Sequence, residues 1–546
     1  MERSRVFLAG LSGVGKSSIA RRLAAWLGWP AHDVDREVER ATGASIAEHW
    51  RTAGEPAFRA AERDAIARLT ALPGSGVIAL GGGALEDAAS AARLAAWGCG
   101  VFLDAPVETL ARRVTMARGP AARGEGSGRP LLEAGDPLEV LGALAARRAA
   151  GFAALPHRVS ATGASAAAVA VEVLRALEWP APEPVADGVW LGRNALAHAG
   201  AVLARGGPTE GRSAGLTPLV VATDARVWAL HGDPLLRGLV AAGWNPAPCP
   251  LPAGEAAKRP AGLVRVWDAL AAAGAERDSP CAALGGGAVG DVAGLAAATF
   301  KRGLPLTLFP TTLLAQVDAA IGGKNAINLA GVKNLIGTFH PPATVVSDSL
   351  CLLTLTARAY RSGWAEVVKT AVLNDPDLLA LCEREPTAIR ARRLEIVEEA
   401  VARAARVKSA VVATDPREAD ERRRLNLGHT LGHALEAASG GALTHGEAVA
   451  IGLVAAARLS AELGVGAPDL ADRLAAALVG LGLPARVPEA APPAARDPEQ
   501  LLALIGHDKK RRGGQLHVVL PVRPGETIIQ PVAGDVLRRW VEEAVR

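Results

Sequence analysis

A glycine-rich loop close to the start of the chain holds the first residues whose types and spacing could do chemistry. The segment GLSGVGKS, residues 10–17, matches G-x-x-x-x-G-K-S between an apolar strand pattern and a helical run. In such a loop, backbone N–H groups surround phosphate, a lysine reaches the terminal phosphates, and a serine hydroxyl binds Mg²⁺. Lys16 is the only lysine in the first 257 residues. The pattern predicts a nucleotide site formed by Gly13, Gly15, Lys16, Ser17 and Ser18.

Four further motifs follow this loop in the first part of the chain. They are Asp33-Val-Asp35 at the end of a predicted strand, residues 54–62 with Arg59, a strand running into Gly81–Gly83, and Arg129 before Pro-Leu-Leu. Residues two apart on a strand share one face, so we expect both aspartates on the same side. In this order and spacing, residues 1–176 resemble the shikimate kinase family.

The resemblance implies a P-loop domain of the nucleoside-monophosphate-kinase type that phosphorylates the 3-hydroxyl of shikimate with ATP and Mg²⁺. By the match, Asp33 lies near Mg²⁺, Asp35 holds and deprotonates the attacking hydroxyl, and Arg113 contacts adenine. Arginine forks suit both the carboxylate and the phosphate of this reaction. The shikimate-binding residues that the resemblance implies are Asp35, Arg59, Gly81, Gly82, Gly83, Arg129 and Arg148.

The second part of the chain carries a second glycine pattern and a group of histidines. Residues 285–290 read GGGAVG, a G-x-G-x-x-G match, but the acidic residue usual about 20 positions later is missing, which disfavours an ordinary dehydrogenase. His429 and His433 are four apart and share a helix face, so spacing alone makes both candidate metal ligands. With His445, three of the eleven histidines fall within 17 residues, which argues against purely structural roles.

Long blocks around these residues resemble the 3-dehydroquinate synthase family over residues 190–546. The blocks include PTTLLAQVDAAIGGKNAIN at 310–328, GWAEVVK at 363–369, RRRLNLGHTLGH at 422–433 and HGE at 445–447. The resemblance implies Glu366, His429 and His445 as ligands of Zn²⁺, with Co²⁺ as an alternative, and His433 as a proton carrier beside them. Three protein ligands and an open position are typical of a catalytic zinc.

The same resemblance implies an NAD⁺-dependent but redox-neutral conversion of 3-deoxy-D-arabino-heptulosonate 7-phosphate to 3-dehydroquinate and phosphate. A hydroxyl is oxidised transiently, phosphate is eliminated, the ketone is reduced again, and the ring closes by an aldol step. Lys324, Glu418 and Arg422 join His433 as catalytic candidates. The implied NAD contacts are Asp224, Glu255, Lys258, Gly286, Gly287, Asp291, Thr311, Thr312, Lys333 and Thr354. The implied substrate contacts are Arg302, Asp318, Lys324, Asn334, Lys369, Lys408, Arg422, Asn426, Lys509 and Lys510.

The composition of the chain and the positions of proline and glycine divide it into the domains that must position these residues. Residues 1–178 suffice for the P-loop domain, and the proline-rich stretch 179–189 predicts a linker. Residues 190–350 alternate short strands with helical runs and glycine turns, which predicts a parallel sheet. Residues 355–482 show mainly helical periodicity. The resemblance makes residues 190–350 a Rossmann-like domain that binds NAD, and residues 351–546 a mainly helical domain that binds metal and substrate.

The overall composition excludes several classes of protein. Half of the 546 residues are hydrophobic and the net charge is only +4, so we expect a large core and neither nucleic acid nor membrane as the main partner. The five cysteines are scattered, and the apolar start of the chain is too short for a signal peptide, which predicts a cytoplasmic protein. The partners are then small molecules, with a homodimer through the synthase part left open.

Two alternatives to this interpretation stay open on the residues alone. The second part could be a related sugar-phosphate cyclase or a metal-dependent polyol dehydrogenase of the same architecture. The first part could be a sensor that binds ATP or shikimate without catalysis, although the presence of Lys16, Asp35 and the three arginines argues against this. The expectation is a bifunctional enzyme of the shikimate pathway.

Overall fold

The computed structural model describes residues 5–117, 135–206, 217–507, 511–512 and 515–545. The chain divides into two compact units, Met1–Trp179 and Pro180–Arg546. Within the described residues, no helix is long and apolar enough to cross a membrane.

The first unit is a five-stranded parallel sheet with helices around it. Its strands are β1 (Arg5–Ala9), β2 (Ala31–Asp33), β3 (Gly76–Ala79), β4 (Cys99–Asp104) and β5 (His157–Ser160), in the order β2-β3-β1-β4-β5. Its helices are α1 (Lys16–Leu27), α2 (Val34–Thr42), α3 (Ile46–Ala71), α4 (Ala88–Trp97), α5 (Val107–Ala117), α6 (Pro137–Ala153) and α7 (Ala166–Ala176). β1 and β3 are buried on both faces, as expected of central parallel strands.

The chemistry-bearing segments of this unit follow three neighbouring strands. The glycine-rich loop follows β1, Asp33 ends β2, and Gly81–Gly83 follow β3. Because the carboxyl ends of parallel strands meet at one sheet edge, the three segments come together. Asp35 differs from the expectation, because it lies in the first turn of α2 and not on the strand. The Asp33 side chain accepts a hydrogen bond from the backbone N–H of Arg36, and this cap starts the helix at Val34, within the segment that was expected to be strand.

The second unit begins with a seven-stranded sheet and a separate two-stranded ribbon. The sheet strands are β6 (Glu183–Ala186), β7 (Val189–Gly192), β8 (Thr217–Asp224), β9 (Trp244–Leu251), β10 (Cys281–Gly285), β11 (Leu306–Pro310) and β14 (Thr344–Asp348). The ribbon consists of β12 (Lys324–Leu329) and β13 (Val332–Phe339), paired antiparallel. The helices here are α8 (Ala199–Gly206), α9 (Ala225–Val240), α10 (Pro260–Ala272) and α11 (Gly287–Thr299).

The strand order β6-β7-β14-β11-β10-β8-β9 places a topological switch between β8 and β10. The chain leaves β8 toward β9 on one side and continues through β10, β11 and β14 on the other, so a crevice opens at the carboxyl ends of β8 and β10. Asp224 ends β8, and Gly286 follows β10. The predicted Rossmann-like arrangement is confirmed. One edge differs, because residues 183–186 of the proline-rich stretch form the antiparallel strand β6, where proline is tolerated at the edge of a sheet.

The rest of the second unit is mainly helical. Its helices are α12 (Ala357–Asn374), α13 (Pro376–Arg384), α14 (Pro386–Arg390), α15 (Leu394–Thr414), α16 (His429–Ala438), α17 (His445–Glu462), α18 (Leu470–Gly480), α19 (Pro498–His507) and α20 (Gly534–Val545). The sequence predicted mainly helices in this region and did not indicate a sheet. The structure contains a small antiparallel sheet, which consists of β15 (Arg511–Arg512), β16 (Gln515–Arg523) and β17 (Glu526–Val532). The alternate side chains of β16 pack into an apolar cluster with α16, α17 and α20.

Two candidate active sites

The glycine-rich loop forms a cradle at the start of α1. Gly13 and Gly15 have φ of 86° and 101°, a left-handed region that is strained for other residues, and Gly15 caps α1. Nζ of Lys16 donates to the carbonyl oxygen of Gly10 at 2.8 Å, so the ammonium lies across the loop. Ser17 and Ser18 are exposed in the first turn, where the helix N-terminus favours anions. The geometry suits a bound phosphate chain.

Charged side chains surround the glycine run that follows β3. A Cβ atom at Gly81 would lie 2.2 Å from Oε1 of Glu62 and 2.9 Å from Oδ1 of Asp35, so both carboxylates pack against this backbone. A Cβ atom at Gly83 would lie 2.6 Å from Nη1 of Arg59. Nη1 of Arg59 also donates to Oε2 of Glu62 at 2.7 Å. Burial raises the pKa of Glu62, which is 3% exposed.

Arg148 approaches the same glycine run from α6. Its Nη1 lies 3.1 Å from the position that a Cβ of Gly82 would take, and its Nε donates to Oε1 of Glu86 at 2.6 Å. Glu86 also pairs with Arg147, whose Nε lies 2.8 Å from Oε2. Arg148 is buried, with 5% of its surface exposed, and burial lowers its pKa. Asp35, Arg59 and Arg148 therefore converge as expected, and Glu86 is a member of the site that the motifs did not indicate.

Arg113 and Arg129 were also expected at this site from the resemblance. Arg113 donates from Nη2 to the carbonyl oxygen of Ala161 at 3.0 Å, beside the loop after β5. Arg129 lies outside the described residues.

Three side chains from three helices form a candidate metal site in the second unit. One ligand atom each from Glu366 on α12, His429 on α16 and His445 on α17 lie within 4.8 Å of one another. Nε2 of His445 and Nε2 of His429 lie 3.2 Å and 3.5 Å from the same oxygen, Oε1 of Glu366. His433 is adjacent, with its ring centroid 5.0 Å from that of His429. Two imidazoles and a carboxylate form a donor set that suits Zn²⁺.

Hydrogen bonds on the far side of each ring set its tautomer. Nδ1 of His429 faces the carbonyl oxygen of Leu427 at 3.0 Å, and Nδ1 of His445 faces Oε2 of Glu436 at 2.9 Å. Both partners only accept, so Nδ1 of each ring carries a hydrogen, and Nε2 is the nitrogen left to bind a metal ion. Burial lowers the pKa of His429 well below its ordinary value and leaves the ring neutral. A cation is needed among these donors, and the residues present fit a zinc ion.

Helix packing brings His445 to this point. Thr444 and Glu447 form a capping box at the start of α17, which makes His445 the first residue of that helix. The backbone N–H of Gly446 donates to Oγ of Ser362 at 3.0 Å, and a Cβ at Gly446 would lie 1.9 Å from the carbonyl oxygen of Ser362. Only glycine allows α17 to approach α12 this closely. The HGE motif therefore specifies the helix contact as well as the ligand.

A cluster of buried charges lies beside the metal ligands. Nζ of Lys408 lies 2.6 Å from Oδ1 of Asp318, and Nζ of Lys369 lies 3.6 Å from the same oxygen and also pairs with Glu366. Burial would raise the pKa of Asp318, but the two ammonium groups outweigh burial and lower it to about 2. Burial would likewise raise the pKa of Glu366, but Lys369 and both histidine ligands hold it well below its ordinary value. Both carboxylates are therefore ionised at neutral pH, whereas burial lowers the pKa of Lys408 although Asp318 opposes this.

A cleft of about 470 Å³ opens over this cluster, and predicted substrate contacts line it. Lys324 pairs with Glu418, which also accepts from Nδ2 of Asn426 at 2.8 Å. Arg422 is 2% exposed and donates to the carbonyl oxygen of Gly322 at 2.8 Å, and burial lowers its pKa. Cleft-lining residues that were expected from the sequence are Asp318, Lys324, Asn334, Lys408 and Arg422, with Asp291 of the NAD set.

The expected NAD contacts lie near the switch point of the sheet. Asp224 caps α9 by accepting from the backbone of Arg226 and Val227, both at 2.9 Å. Nζ of Lys258 lies 2.5 Å from Oδ2 of Asp291 and also pairs with Asn334. Burial raises the pKa of Asp291 to about 6, although Lys258 opposes this.

The other expected NAD contacts are spread along the edges of the crevice. Thr311 and Thr312 follow β11, directly beside Gly285 and Gly286. Oγ1 of Thr354 contacts Nε2 of His231 at 3.0 Å, and Glu255 accepts from Asn328 at 2.7 Å. Lys333, on the ribbon, donates to Oε1 of Glu436 at 2.7 Å.

Of the expected substrate contacts that the structure describes, Arg302, Lys369 and Asn426 are not among the residues that line this cleft. Arg302 borders a different depression with Glu276, Arg277, Asp278 and Lys301, and its φ is 69°. Lys509 and Lys510 lie outside the described residues. Glu436 was missed, although its place three residues after His433 and seven after His429 puts it on the same face of α16.

Comparisons with known proteins agree with both halves. Residues 12–178 match the family model for shikimate kinase, residues 248–362 the 3-dehydroquinate synthase N-terminal model, and residues 363–511 the C-terminal model. The 3-dehydroquinate synthase of Symbiobacterium thermophilum is 41% identical over 359 residues, which are 66% of this chain and 97% of that protein. The synthase of Rhodospirillum rubrum is 47% identical over 313 residues, 57% of this chain and 81% of that protein.

A solved structure agrees with the second half. ValA, a 2-epi-5-epi-valiolone synthase from Streptomyces hygroscopicus subsp. jinggangensis with NAD⁺ and Zn²⁺ bound, is 28% identical at a TM-score of 0.57. The match covers 68% of this chain and 98% of that structure. The chain belongs to the 3-dehydroquinate synthase family and carries a shikimate kinase domain ahead of the synthase part, which makes it a bifunctional enzyme of the shikimate pathway.

Proposed function

We propose that the first unit transfers the γ-phosphoryl group of ATP to the 3-hydroxyl of shikimate. Three sets of groups meet at one sheet edge: the phosphate loop, the carboxylate of Asp35, and the guanidinium groups of Arg59 and Arg148 beside the glycine run. Lys16 and the backbone of the loop hold the phosphates, while Ser17 and Asp33 hold Mg²⁺. Arg59 and Arg148 bind the carboxylate of shikimate, and Asp35 takes the proton of the attacking hydroxyl. Positioning and charge neutralisation carry most of the catalysis in such transfers.

The second unit, by this proposal, converts 3-deoxy-D-arabino-heptulosonate 7-phosphate to 3-dehydroquinate and phosphate. The observation that carries this is the convergence of Glu366, His429 and His445 beside a cleft lined by buried lysines. When bound, Zn²⁺ polarises the substrate hydroxyl, and NAD⁺ supplies the transient oxidation that acidifies the neighbouring proton. The ValA structure, with both groups bound, supports these cofactors.

The side chains of the cleft bind the substrate and move its protons. Lys369 and Lys408 are held by Asp318 and face the substrate as buried cations. Lys324 and Arg422 bind the phosphate and carboxylate groups, and Glu418 with Asn426 orients Lys324. His433, next to the metal ligands, carries the proton of the hydroxyl. Glu418 and Asn334 adopt φ of 58° and 54°, strain that is common where a site requires one orientation.

The alternatives make different predictions for this half. A polyol dehydrogenase would release NADH in proportion to turnover, whereas the proposed reaction releases phosphate with no net NADH. A related cyclase is disfavoured because the synthases that share 41–47% of residues are 3-dehydroquinate synthases, whereas the valiolone synthase shares 28%. All five cysteines are buried and none forms a disulfide, in keeping with a reducing compartment such as the cytoplasm.

A two-substrate assay tests the whole proposal. Both activities are measured on wild type, on Lys16→Ala and on His429→Ala in the full chain. Lys16→Ala should abolish formation of shikimate 3-phosphate and spare phosphate release from the heptulosonate substrate, and His429→Ala should do the reverse. Loss of both activities in either variant would contradict independent sites. A wild-type chain that binds ATP but does not phosphorylate shikimate would make the first unit a sensor.

A further inference from the structure

The carboxylate of Glu436 bridges two parts of the synthase site that differ in function. Its Oε2 accepts from Nδ1 of His445 at 2.9 Å, and its Oε1 accepts from Nζ of Lys333 at 2.7 Å. The first partner is a proposed metal ligand at the start of α17. The second partner belongs to the ribbon, which carries residues of the substrate cleft. Glu436 itself stands on α16 with His429 and His433.

The contact with His445 decides which nitrogen of that ring can bind metal. An ionised carboxylate only accepts, so the hydrogen stays on Nδ1, and Nε2, which lies 3.2 Å from Oε1 of Glu366, is the nitrogen left to bind a metal ion. Without this partner, the hydrogen can move to Nε2, which blocks a ligand bond there. The site offers only three protein ligands among the described residues, so a His445 ring with its hydrogen on Nε2 would leave two.

The contact with Lys333 concerns the position of the ribbon. Seven of the eight residues of β13 are exposed, and a two-stranded ribbon alone is marginally stable in water. β12 packs into the apolar core beside α11 through Ile327, and three polar contacts hold the rest of the ribbon: Lys333 with Glu436, Asn334 with Lys258, and Lys324 with Glu418. The Lys333 side chain is 60% exposed, so its ion pair is weak and can open and re-form.

We propose that Glu436 is a positioning residue that holds His445 in the metal-binding tautomer and ties the ribbon to the metal site through Lys333. The placement of Lys324, Asn334 and Phe339 over the cleft then depends on the same carboxylate that orients a metal ligand. This inference rests on the proposed synthase function and goes beyond it, because neither Glu436 nor the coupling belongs to the expected site.

The test uses the full chain with the variants Glu436→Gln, Lys333→Met and the double variant. Glu383→Gln is the matched control, because Glu383 bridges helices through Arg473 at 3.1 Å and contacts no histidine. Zinc affinity is measured by competition with a chelating dye, NAD⁺ affinity by titration, and synthase turnover by phosphate release. Shikimate kinase activity and the thermal midpoint report on folding.

Glu436→Gln should weaken zinc binding by roughly 10- to 100-fold, the range usual for partners of metal-ligating histidines. Lys333→Met should leave zinc affinity within about threefold of wild type and raise KM for the heptulosonate substrate at saturating NAD⁺. The double variant should show a KM no higher than the larger of the two single effects, because both changes break one link.

Two results would overturn the inference. One is a zinc affinity of Glu436→Gln equal to that of Glu383→Gln. The other is a loss of NAD⁺ affinity in Lys333→Met with KM for the substrate unchanged, which would make Lys333 a simple NAD contact. If Glu436→Gln folds poorly, Lys333→Met still tests whether the ribbon depends on this ion pair, because the side chain of Lys333 is exposed. A wild-type chain without zinc binding or phosphate release contradicts the proposed function itself.

Discussion

Replacement of Glu86 by glutamine should impair binding of shikimate without affecting binding of ATP. Glu86 holds Nε of Arg148 at 2.6 Å, which leaves Nη1 facing the glycine run. Arg148 is buried at 5% exposure, so it has little solvent to replace a lost partner. Burial would raise the pKa of Glu86, but its hydrogen bonds to Arg148 and Arg147 outweigh burial and lower it, so the carboxylate is ionised at neutral pH.

The expected rise in KM for shikimate follows from the interactions that glutamine keeps and those that it loses. The amide oxygen can still accept from Nε, but the charge is lost, and hydrogen bonds to charged groups contribute about 1.5–3 kcal/mol. Because the Glu86 side chain is 29% exposed, we take the low end of that range. About 1.4 kcal/mol corresponds to a tenfold change. KM for shikimate should therefore rise about tenfold.

Steady-state kinase assays with each substrate varied in turn measure this effect. Arg147→Met is the first control, because Arg147 shares Glu86 but is half exposed, and it should change KM for shikimate less than about threefold. Glu172→Gln is the second control, since it breaks an ion pair with Arg175 on α7 away from the glycine run. An unchanged KM for shikimate, or an equal rise in KM for ATP, would refute the role of Glu86.

Three further predictions concern zinc binding by Glu366, the pH dependence of stability at Asp291, and the replacement of two lysines by arginine. Glu366→Gln should abolish zinc retention and phosphate release while kinase activity persists, and metal analysis after gel filtration checks this; retained zinc would contradict the assigned ligand. Burial places the pKa of Asp291 at about 6, above its unfolded value of 3.8, so ionisation of this group costs stability as pH rises from about 4 to 6. The shift corresponds to at most about 3 kcal/mol, and Asp291→Asn should flatten that part of the pH profile of the thermal midpoint of the second unit; an unchanged profile would contradict the raised pKa. Lys16→Arg should cripple the kinase, whereas Lys301→Arg should leave both activities near wild type, because Lys301 pairs with Glu276 at the surface; equal losses in both variants would contradict this distinction.

The sequence predicted the architecture, because the motifs combine chemistry with backbone geometry, and most of the proposed site residues that the structure describes lie close together. The loop at residues 10–17 requires a strand before and a helix after it, and both are present. Asp35 was placed on the strand because alternation alone cannot show that Asp33 caps a helix. The sheet that includes residues 515–532 was missed because many of its core partners lie on α16 and α17, far earlier along the chain.

Spacing alone also left the roles of the histidines open. His429 and His433 are equivalent by helical periodicity, but Glu366 and His445 come from other helices and select His429. Glu86 and Glu436 bind no substrate or metal directly in this proposal and carry no motif. They emerge only when the fold shows which nitrogen of Arg148 and of His445 needs a partner. Residues that orient other residues are the part that sequence patterns predict least well.

The scarcity of lysine gains a physical reason from these contacts. Only nine of the 60 basic residues are lysine, and arginine serves elsewhere. In the described part of the chain, Lys258, Lys324, Lys333, Lys369 and Lys408 each pair with a carboxylate of the second unit's site, and Lys16 crosses the phosphate loop. Lys369 is 2% exposed and contacts both Glu366 and Asp318, a space that suits a compact ammonium with rotatable donors better than a planar guanidinium fork. In a chain whose composition favours arginine, lysine is kept at positions where a planar guanidinium group does not fit. Such positions therefore indicate the two candidate sites.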